Sequence, residues 1–472
     1  MSISNHGGTV SKNSLVLILV AIAGLPATSL AQPCFERWYG GSGTDYNFGA
    51  TQTLDGGYLV YGYTTSYGSA TSSVWLIKTD EHGDSLWTRT HGASAVNCGT
   101  SVLSADDSGF VIAGYTSASG AGMNDFLLLR TDANGDSVWA HTYGGSEADN
   151  AYALAQTDDG GYILTGSTES FGAGDKDVYL VRTDADGDTV WTRVYGGTER
   201  DDASAVVQTP DGGFAVVGYF GGADQDDAWL IRTDADGDTL WTRTYGSDQE
   251  SDYGFALAMT PDHGFVFTGR TYSYGGALGN LWLVRTDSVG DTMWIKSYGG
   301  SDFEDGQSVV RTADGGFAVT GGTKSFGAGD YDAWLIKTDA NGDSVWSQTF
   351  GGSQTEYGTT VEQTPDRGFV VSGYTTTFGA GSYDFYLIKT DPDGNVAIAE
   401  PRHTPTGRVA SPTVVSRSGL LASLGQHGFR LFDASGRAIA EPSHVSPGIY
   451  FMAEGTRSAG AQADVRKLLV TD

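Results

Sequence analysis

The chain has 472 residues, with 27 basic and 57 acidic side chains and a formal charge of -30. That acidity argues against nucleic acid or an anionic lipid surface as partner, and 18% charged with 39% hydrophobic residues excludes a disordered polyelectrolyte. Sixty-nine glycines beside eleven tryptophans and twenty-four tyrosines imply many tight turns joining aromatic-rich strands. Residues 1–31 read as a secretory signal peptide: Lys12 precedes an apolar run from Leu15 to Ala23, and Ser29-Leu30-Ala31 supplies the small residues of a cleavage site. The run is too short for a membrane span, and no later stretch qualifies. Its removal takes one lysine and no acid, leaving a charge of -31. Pro33 makes Cys34 a poor lipid-attachment site, and Cys98 falls in a different repeat, so no disulfide between them is expected.

From residue 32 onward one turn recurs: Asp55-Gly56-Gly57, Asp107-Ser108-Gly109, Asp159-Gly160-Gly161, Asp211-Gly212-Gly213, Asp262-His263-Gly264, Asp314-Gly315-Gly316 and Asp366-Arg367-Gly368. Successive aspartates are 52, 52, 52, 51, 52 and 52 residues apart. Trp87, Trp139, Trp191, Trp241, Trp294 and Trp346 keep the same beat. Each copy reads as four short strands. In the fourth, Ala203 to Gln208 is rich in small residues, and Phe214 to Tyr219 alternates large with small. Ala228 to Arg232 is apolar on both faces, and Thr239 to Thr244 follows the turn Asp234-Ala235-Asp236-Gly237. Four strands every fifty-odd residues with glycine-rich corners are the signature of β-propeller blades. The seventh copy has no tryptophan strand after Asp393-Gly394; Phe35-Glu36-Arg37-Trp38-Tyr39 supplies it from the N-terminal side, with Phe35 in the tryptophan slot. The expected fold is therefore all-β: a seven-bladed β-propeller over 32–396, then a Pro/Thr/Arg/Ala-rich linker over 397–415 and a small C-terminal β-sandwich over 416–472.

The segment Asp132-Ala133-Asn134-Gly135-Asp136-Ser137-Val138-Trp139 resembles the tryptophan-docking motif of quinoprotein-like propellers, one residue shorter before the glycine. The likeness implies the fold over residues 35–396 but no quinone site. The repeat, including Trp334-Leu335-Ile336-Lys337-Thr338-Asp339, is also similar to those of secreted proteins of Bacteroidota-type bacteria. At the C-terminus, Phe429-Arg430-Leu431-Phe432-Asp433-Ala434-Ser435-Gly436-Arg437, Pro447-Gly448-Ile449-Tyr450-Phe451 and Arg466-Lys467-Leu468-Leu469-Val470 resemble the type A sorting domain of the type IX secretion system. Ser411-Pro412-Thr413 stands where that family opens with Pro-Asn-Pro. This resemblance implies secretion machinery as a partner and attachment to the outer surface of a Gram-negative bacterium.

Three acidic patterns are candidates for chemistry. The column Asp45, Asn97, Asp149, Asp201, Asp252, Glu304 and Glu356 would either ring the channel mouth as a cation or substrate site or cap its own blade links. Ser73, Asp125, Asp177, Asp227, Asn280, Asp332 and Asp384 precede each third strand and carry the same two readings. Recurrence in nearly every blade favours a structural role for both. Asp184, Asp186 and Asp188 resemble the opening of a calcium loop, though the distal glutamate is absent and the same letters make an ordinary hairpin. The histidines and cysteines form no zinc pattern, and no catalytic set emerges.

Departures from the repeat point elsewhere. Blade four has 16 residues from Asp211 to Asp227 where six blades have 18, and Arg270 replaces the tyrosine, serine or glycine of other blades. A ligand patch is expected at Asp224, Asp226, Glu250 and Arg270. Loop aromatics Tyr67, Phe171, Tyr274, Phe326 and Phe378 would either stack on sugars or pack their own loops. The functional expectation is a monomeric, exported, non-catalytic module binding an extracellular glycan or protein. No cofactor is required, with Ca2+ the candidate ion. The alternatives are a carbohydrate-active hydrolase or lyase, and a structural or adhesive surface protein.

Overall fold

The computed structural model describes residues 32–396 other than 69–70, 93–94, 223–224, 248 and 277, together with strands at 413–416, 429–432, 448–454 and 465–471. Contacts divide the chain into two compact units meeting at Ala399 and Glu400. The first unit holds seven four-stranded sheets, each antiparallel and paired in chain order. Blade four runs Asp202–Gln208, Phe214–Gly221, Asp226–Thr233 and Thr239–Tyr245. Phe35–Tyr39 pairs antiparallel with Asp384–Thr390, placing Phe35 opposite Lys389, so both ends of the repeat region build blade seven. The expected seven-bladed ring and its closure are what the chain forms.

No single core exists in this ring. Seven apolar clusters each fill one interface between neighbouring blades, as where Leu59 and Leu76 of blade one meet Phe110, Ile112 and Leu127 of blade two. The third strand of each blade lies between two such clusters, which is why Asp332–Thr338 is buried along its whole length. The tryptophan column is a latch between blades. Gly135 turns the hairpin of blade two at φ +77°, and a Cβ there would lie 2.7 Å from the ring of Trp87 in blade one. Phe35 makes the same contact on Gly83, completing the ring. Tyrosines after the docked ring donate to these glycine carbonyls: Tyr39 to Gly83 at 2.6 Å and Tyr143 to Gly187 at 2.6 Å.

The two ends of the ring differ. On one, which we call the turn face, each repeated turn aspartate accepts a hydrogen bond from a Lys or Arg of its third strand, for example Lys78 to Asp55 and Arg182 to Asp159. The other, the link face, carries the blade links and the loops between second and third strands. Cys98 is a buried free thiol, and Cys34 is half-buried. In the second unit the described strands form one four-stranded sheet ordered 413–416, 465–471, 448–454, 429–432, its first pair parallel and the others antiparallel. Residues 1–31, most of the linker and the rest of the expected sandwich lie outside the described residues.

Candidate functional site

The acidic columns brace the link face. All members of the first are buried, at 0% exposure except Asn97 at 3%. Asp45 accepts the Gly41 amide and the Ser66 hydroxyl, both at 2.7 Å; Glu356 accepts the Gly352 amide at 2.6 Å and Thr375 Oγ1 at 2.7 Å. In the second column Asp332 accepts the amides of Ala328 and Gly329 at 2.9 Å. Burial, and then the neighbouring Glu356 carboxylate, push the Asp332 carboxyl up; Asp384 beside Asp45 is raised in the same way. These groups cap loops instead of facing a ligand, the structural one of the two readings the sequence allowed.

The Asp184 hairpin is spent on its own turn. Asp184 Oδ1 accepts the amides of Asp186 at 3.0 Å and Asp188 at 2.9 Å, and all three side chains are exposed. Among the described residues no three His, Cys, Asp or Glu side chains converge on a metal position. The loop aromatics pack on the third strand of their own blade, Tyr67 on Trp75 at 5.1 Å and Phe326 on Trp334 at 5.3 Å between centroids. Their outer faces remain partly exposed.

The unrepeated chemistry gathers around the central channel. Every innermost strand slips register at the same place, between Asn47 and Gly49 in blade one and between Gly358 and Thr360 in blade seven, for example. A bulge re-aims the unpaired side chain. All seven bulge residues, Phe48, Thr100, Tyr152, Ser204, Phe255, Gln307 and Thr359, line a cavity of about 600 Å³ that every blade helps to form.

Above this ring, cross-strand pairs at the start of the inner strands join round the mouth. Tyr357 stands opposite Tyr374, their rings stacked at 5.4 Å and 4°. Tyr374 meets Tyr46 of blade one at 4.5 Å. On the other side Tyr331 meets Tyr357 at 5.6 Å, and Phe303 meets Tyr331 at 5.8 Å. Gly322 is required where a side chain would strike the Tyr357 ring. The result is a continuous arc of rings over blades six, seven and one. Burial pushes the Tyr46 hydroxyl up to about 12, and Tyr357 well above the ordinary phenol range, so the arc is neutral at any physiological pH.

Arg270 ends the arc. Its guanidinium lies 4.4 Å from the Phe303 ring centroid, a cation–π contact, and donates to Asp305 Oδ2 at 3.0 Å. Asp305 is fully buried and also accepts Gln307 Nε2 at 3.1 Å, the Tyr357 hydroxyl and the Gly322 amide. Arg270 Nε is buried without a partner among the described residues. Further round, Asp202 is 6% exposed. Burial raises its carboxyl to about 6, against the opposing pull of Lys176 and Arg200. The Tyr219 hydroxyl donates to it at 3.3 Å.

Of the expected patch, Arg270 lines the cavity. Asp226 accepts the Tyr253 hydroxyl at 3.0 Å, and the Tyr253 ring lies 5.9 Å from the Arg270 guanidinium. Glu250 is an exposed residue of the blade link, bridged to Ser247. Asp224 lies outside the described residues. Asp305, Tyr357, Tyr374, Tyr46 and the bulge residues were not singled out from the sequence. Tyr46, Asp305 and Tyr357 belong to the column directly after the first acidic one, where Tyr46, Cys98, Asn150, Asp202, Tyr253, Asp305 and Tyr357 vary from blade to blade.

Fold and site together define a seven-bladed β-propeller with an aromatic channel mouth. No family model matches the sequence, and no curated protein does. Among solved structures the chain is similar to the WD40 domain of Neurospora crassa Pan2, at 9% identity and TM-score 0.47, covering 77% of this chain and 91% of that one. It is similar also to Chaetomium thermophilum Sqt1 bound to the N-terminus of ribosomal protein L10, at 12% identity and TM-score 0.44, covering 75% and 98%. A protein of unknown function from Dyadobacter fermentans matches at 13% identity and TM-score 0.39, covering 75% and 99%.

Proposed function

We propose that this chain is an exported, surface-attached binding propeller with no catalytic role, taking an extracellular glycan or protein at the tyrosine-lined channel mouth. Residues 1–31 support export, and the elements at 429–437, 447–451 and 466–470 support delivery by type IX machinery. The observation that carries the binding reading is the contrast between columns. A residue kept in every blade serves the blade, whereas the cavity ring changes from blade to blade between flanks that are mostly Gly, Ala, Ser or Thr. Its aromatic walls with a few convergent polar groups are what a ligand site needs.

A second reading, a glycan hydrolase or lyase, is favoured by Asp202, whose carboxyl at about 6 suits a general acid or base near neutral pH. One experiment separates the two. The full chain is offered a polysaccharide panel and a set of purified extracellular proteins, with and without chelator, and both retention and product are recorded. Retention without product, abolished by the cavity-filling Ser204→Trp, is the expected result. Product formation that disappears in Asp202→Asn would make the protein an enzyme, and retention indifferent to Ser204→Trp would move the site off the mouth. Loss on chelation would make the Asp184 hairpins calcium sites.

A further inference from the structure

The turn face changes character at one place, where the strand that closes the ring begins. Six of the seven turn aspartates have side chains 57–70% exposed. Asp366 of blade seven is 5% exposed, and its partner Lys389 is fully buried. Gln32 lies against this pair, its backbone N–H donating to Asp366 Oδ2 at 2.8 Å. The Gln32 side chain reaches the other way: its Oε1 accepts Gln52 Nε2 at 3.0 Å and the Tyr58 hydroxyl at 3.4 Å, both of blade one. One residue thus joins blade seven to blade one across the seam that Phe35 closes. Between blades three and four the residue before the turn aspartate makes the crossing, the Asp158 N–H donating to Gln208 Oε1 at 2.8 Å, and the Ala313 N–H does the same to Gln363 Oε1 at 2.7 Å. Pro365 stands at that position in blade seven, and proline carries no N–H.

We infer that Gln32 becomes the amino terminus of the exported protein and that its new α-ammonium locks the ring by pairing with Asp366. The inference rests on residues 1–31 being a cleaved leader. Hydrolysis of the Ala31–Gln32 bond by a leader peptidase consumes one water. It leaves a carboxylate on Ala31 and an amine on Gln32, which takes up a proton from solvent. The atom that gains the charge is the nitrogen 2.8 Å from Asp366 Oδ2. A charged donor holds a carboxylate more strongly than an amide does, and a carboxylate kept from water escapes the screening that weakens the six exposed pairs. Lys389 shares the carboxylate at 3.1 Å and also donates to the Thr390 carbonyl at 2.7 Å. Gln32 itself is only half-buried, so its ammonium keeps contact with water and avoids the full cost of burying a second cation. Processing is thereby coupled to closure: the seam holds an amide before cleavage and an ion pair after it.

The test compares denaturant unfolding of the full chain with that of the chain starting at Gln32, each with and without Asp366→Asn. Asp314→Asn, at an equivalent turn away from the seam, is the control. We expect the unfolding constant of the processed chain to be lower by about fivefold or more, the margin of a charged over a neutral hydrogen bond. Asp366→Asn should erase that difference and Asp314→Asn should leave it. If Asp366→Asn does not fold, a processed chain with one extra alanine before Gln32 decides instead: it restores an amide at Gln32 and should lose the same stability. Equal unfolding of full and processed chains would overturn the lock. A difference that survives both Asp366→Asn and the added alanine would overturn it too, by assigning the gain to loss of the leader itself. Amino-terminal sequencing of the chain recovered outside cells that express it tests the leader reading separately. A start at another residue would overturn that reading and the lock together. A start at Gln32 with equal unfolding would sink the lock alone, as would a Gln32 found cyclised, its amine having displaced ammonia from its own carboxamide.

Discussion

The turn face and the channel mouth are built from the same seven repeats yet obey opposite rules. On the turn face every blade repeats one device, an aspartate tied to a Lys or Arg of its own third strand. Asp211 and Asp314 are both drawn down to about 2 there, and hydrogen bonds from Thr209 and from Lys337 respectively contribute to the shift. At the mouth the groups change round the ring, from the tyrosine pairs of blades seven and one to Arg270 and Asp305 of blades five and six. Burial dominates instead, and it raises Asp202 to about 6. The difference teaches where each kind of residue is tolerated: exposed turns accept charge because water screens it, while the buried Asp305 of the channel wall is held by Arg270 and three further donors.

The largest effect should come where the ring itself is closed. Phe35 is 3% exposed and fills the docking slot on Gly83 that tryptophans fill elsewhere. Phe35→Ala is expected to lower stability by about 3–5 kcal/mol, read as a fall in the denaturant midpoint; a loss below about 1 kcal/mol would mean that the closing strand is dispensable. Next comes the mouth. Asp305→Ala strands the Arg270 charge and the Tyr357 hydroxyl together and is expected to cost about 3 kcal/mol, somewhat less if water reaches the 26% of Arg270 that is exposed. Asp305→Asn should recover part of the loss, since an amide oxygen still accepts from Arg270.

The pH dependence sharpens the contrast. Asp202 has its folded carboxyl raised from 3.8 to about 6, so keeping it ionised costs stability above pH 6, and the cost disappears as pH falls towards 4 and the group protonates. Asp202→Asn is therefore expected to stabilise the protein by about 2 kcal/mol at pH 7.5 and to have little effect at pH 4. The turn-face aspartates run the other way: their contribution is present above pH 4 and is lost as pH falls towards 2. Thermal unfolding of both proteins across pH 4 to 8 reads the difference directly. Equal midpoints at every pH would show that Asp202 is solvated.

How much of this was legible follows from the same contrast. A period of 52 residues, a docking tryptophan and the stray strand at Phe35 are properties of a repeat, and a repeat writes itself seven times. The blade count, the closure and the capping role of Asp45 and its equivalents could be read for that reason. The mouth is written once. Arg270 stood out because it broke a column of tyrosine, serine and glycine, but its partner Asp305 sits 35 residues away on the next blade, at a distance no local pattern reveals. The bulge that turns Phe48 and Tyr152 inward leaves no mark in a strand of alternating residues.

The smallest effect is expected on the turn face, and it tests whether repetition alone signals strength. Asp159 is 70% exposed although its partner Arg182 is only 7% exposed. Removing the carboxylate leaves Arg182 still donating to the Thr183 and Tyr162 carbonyls, so no buried charge is left wholly unsatisfied. The ion pair itself is screened, and such exposed pairs contribute roughly 0–1 kcal/mol. The aspartate also accepts Thr157 Oγ1 at 2.7 Å and the Gly161 amide at 3.3 Å, which sets the turn. Asp159→Asn retains an oxygen for those two donors and should be nearly silent, whereas Asp159→Ala should cost up to about 1 kcal/mol. A loss from Asp159→Ala as large as that from Asp305→Ala would break the comparison, because it would show that an exposed copy of the repeated pair weighs as much as the pair at the mouth, whose carboxylate is buried.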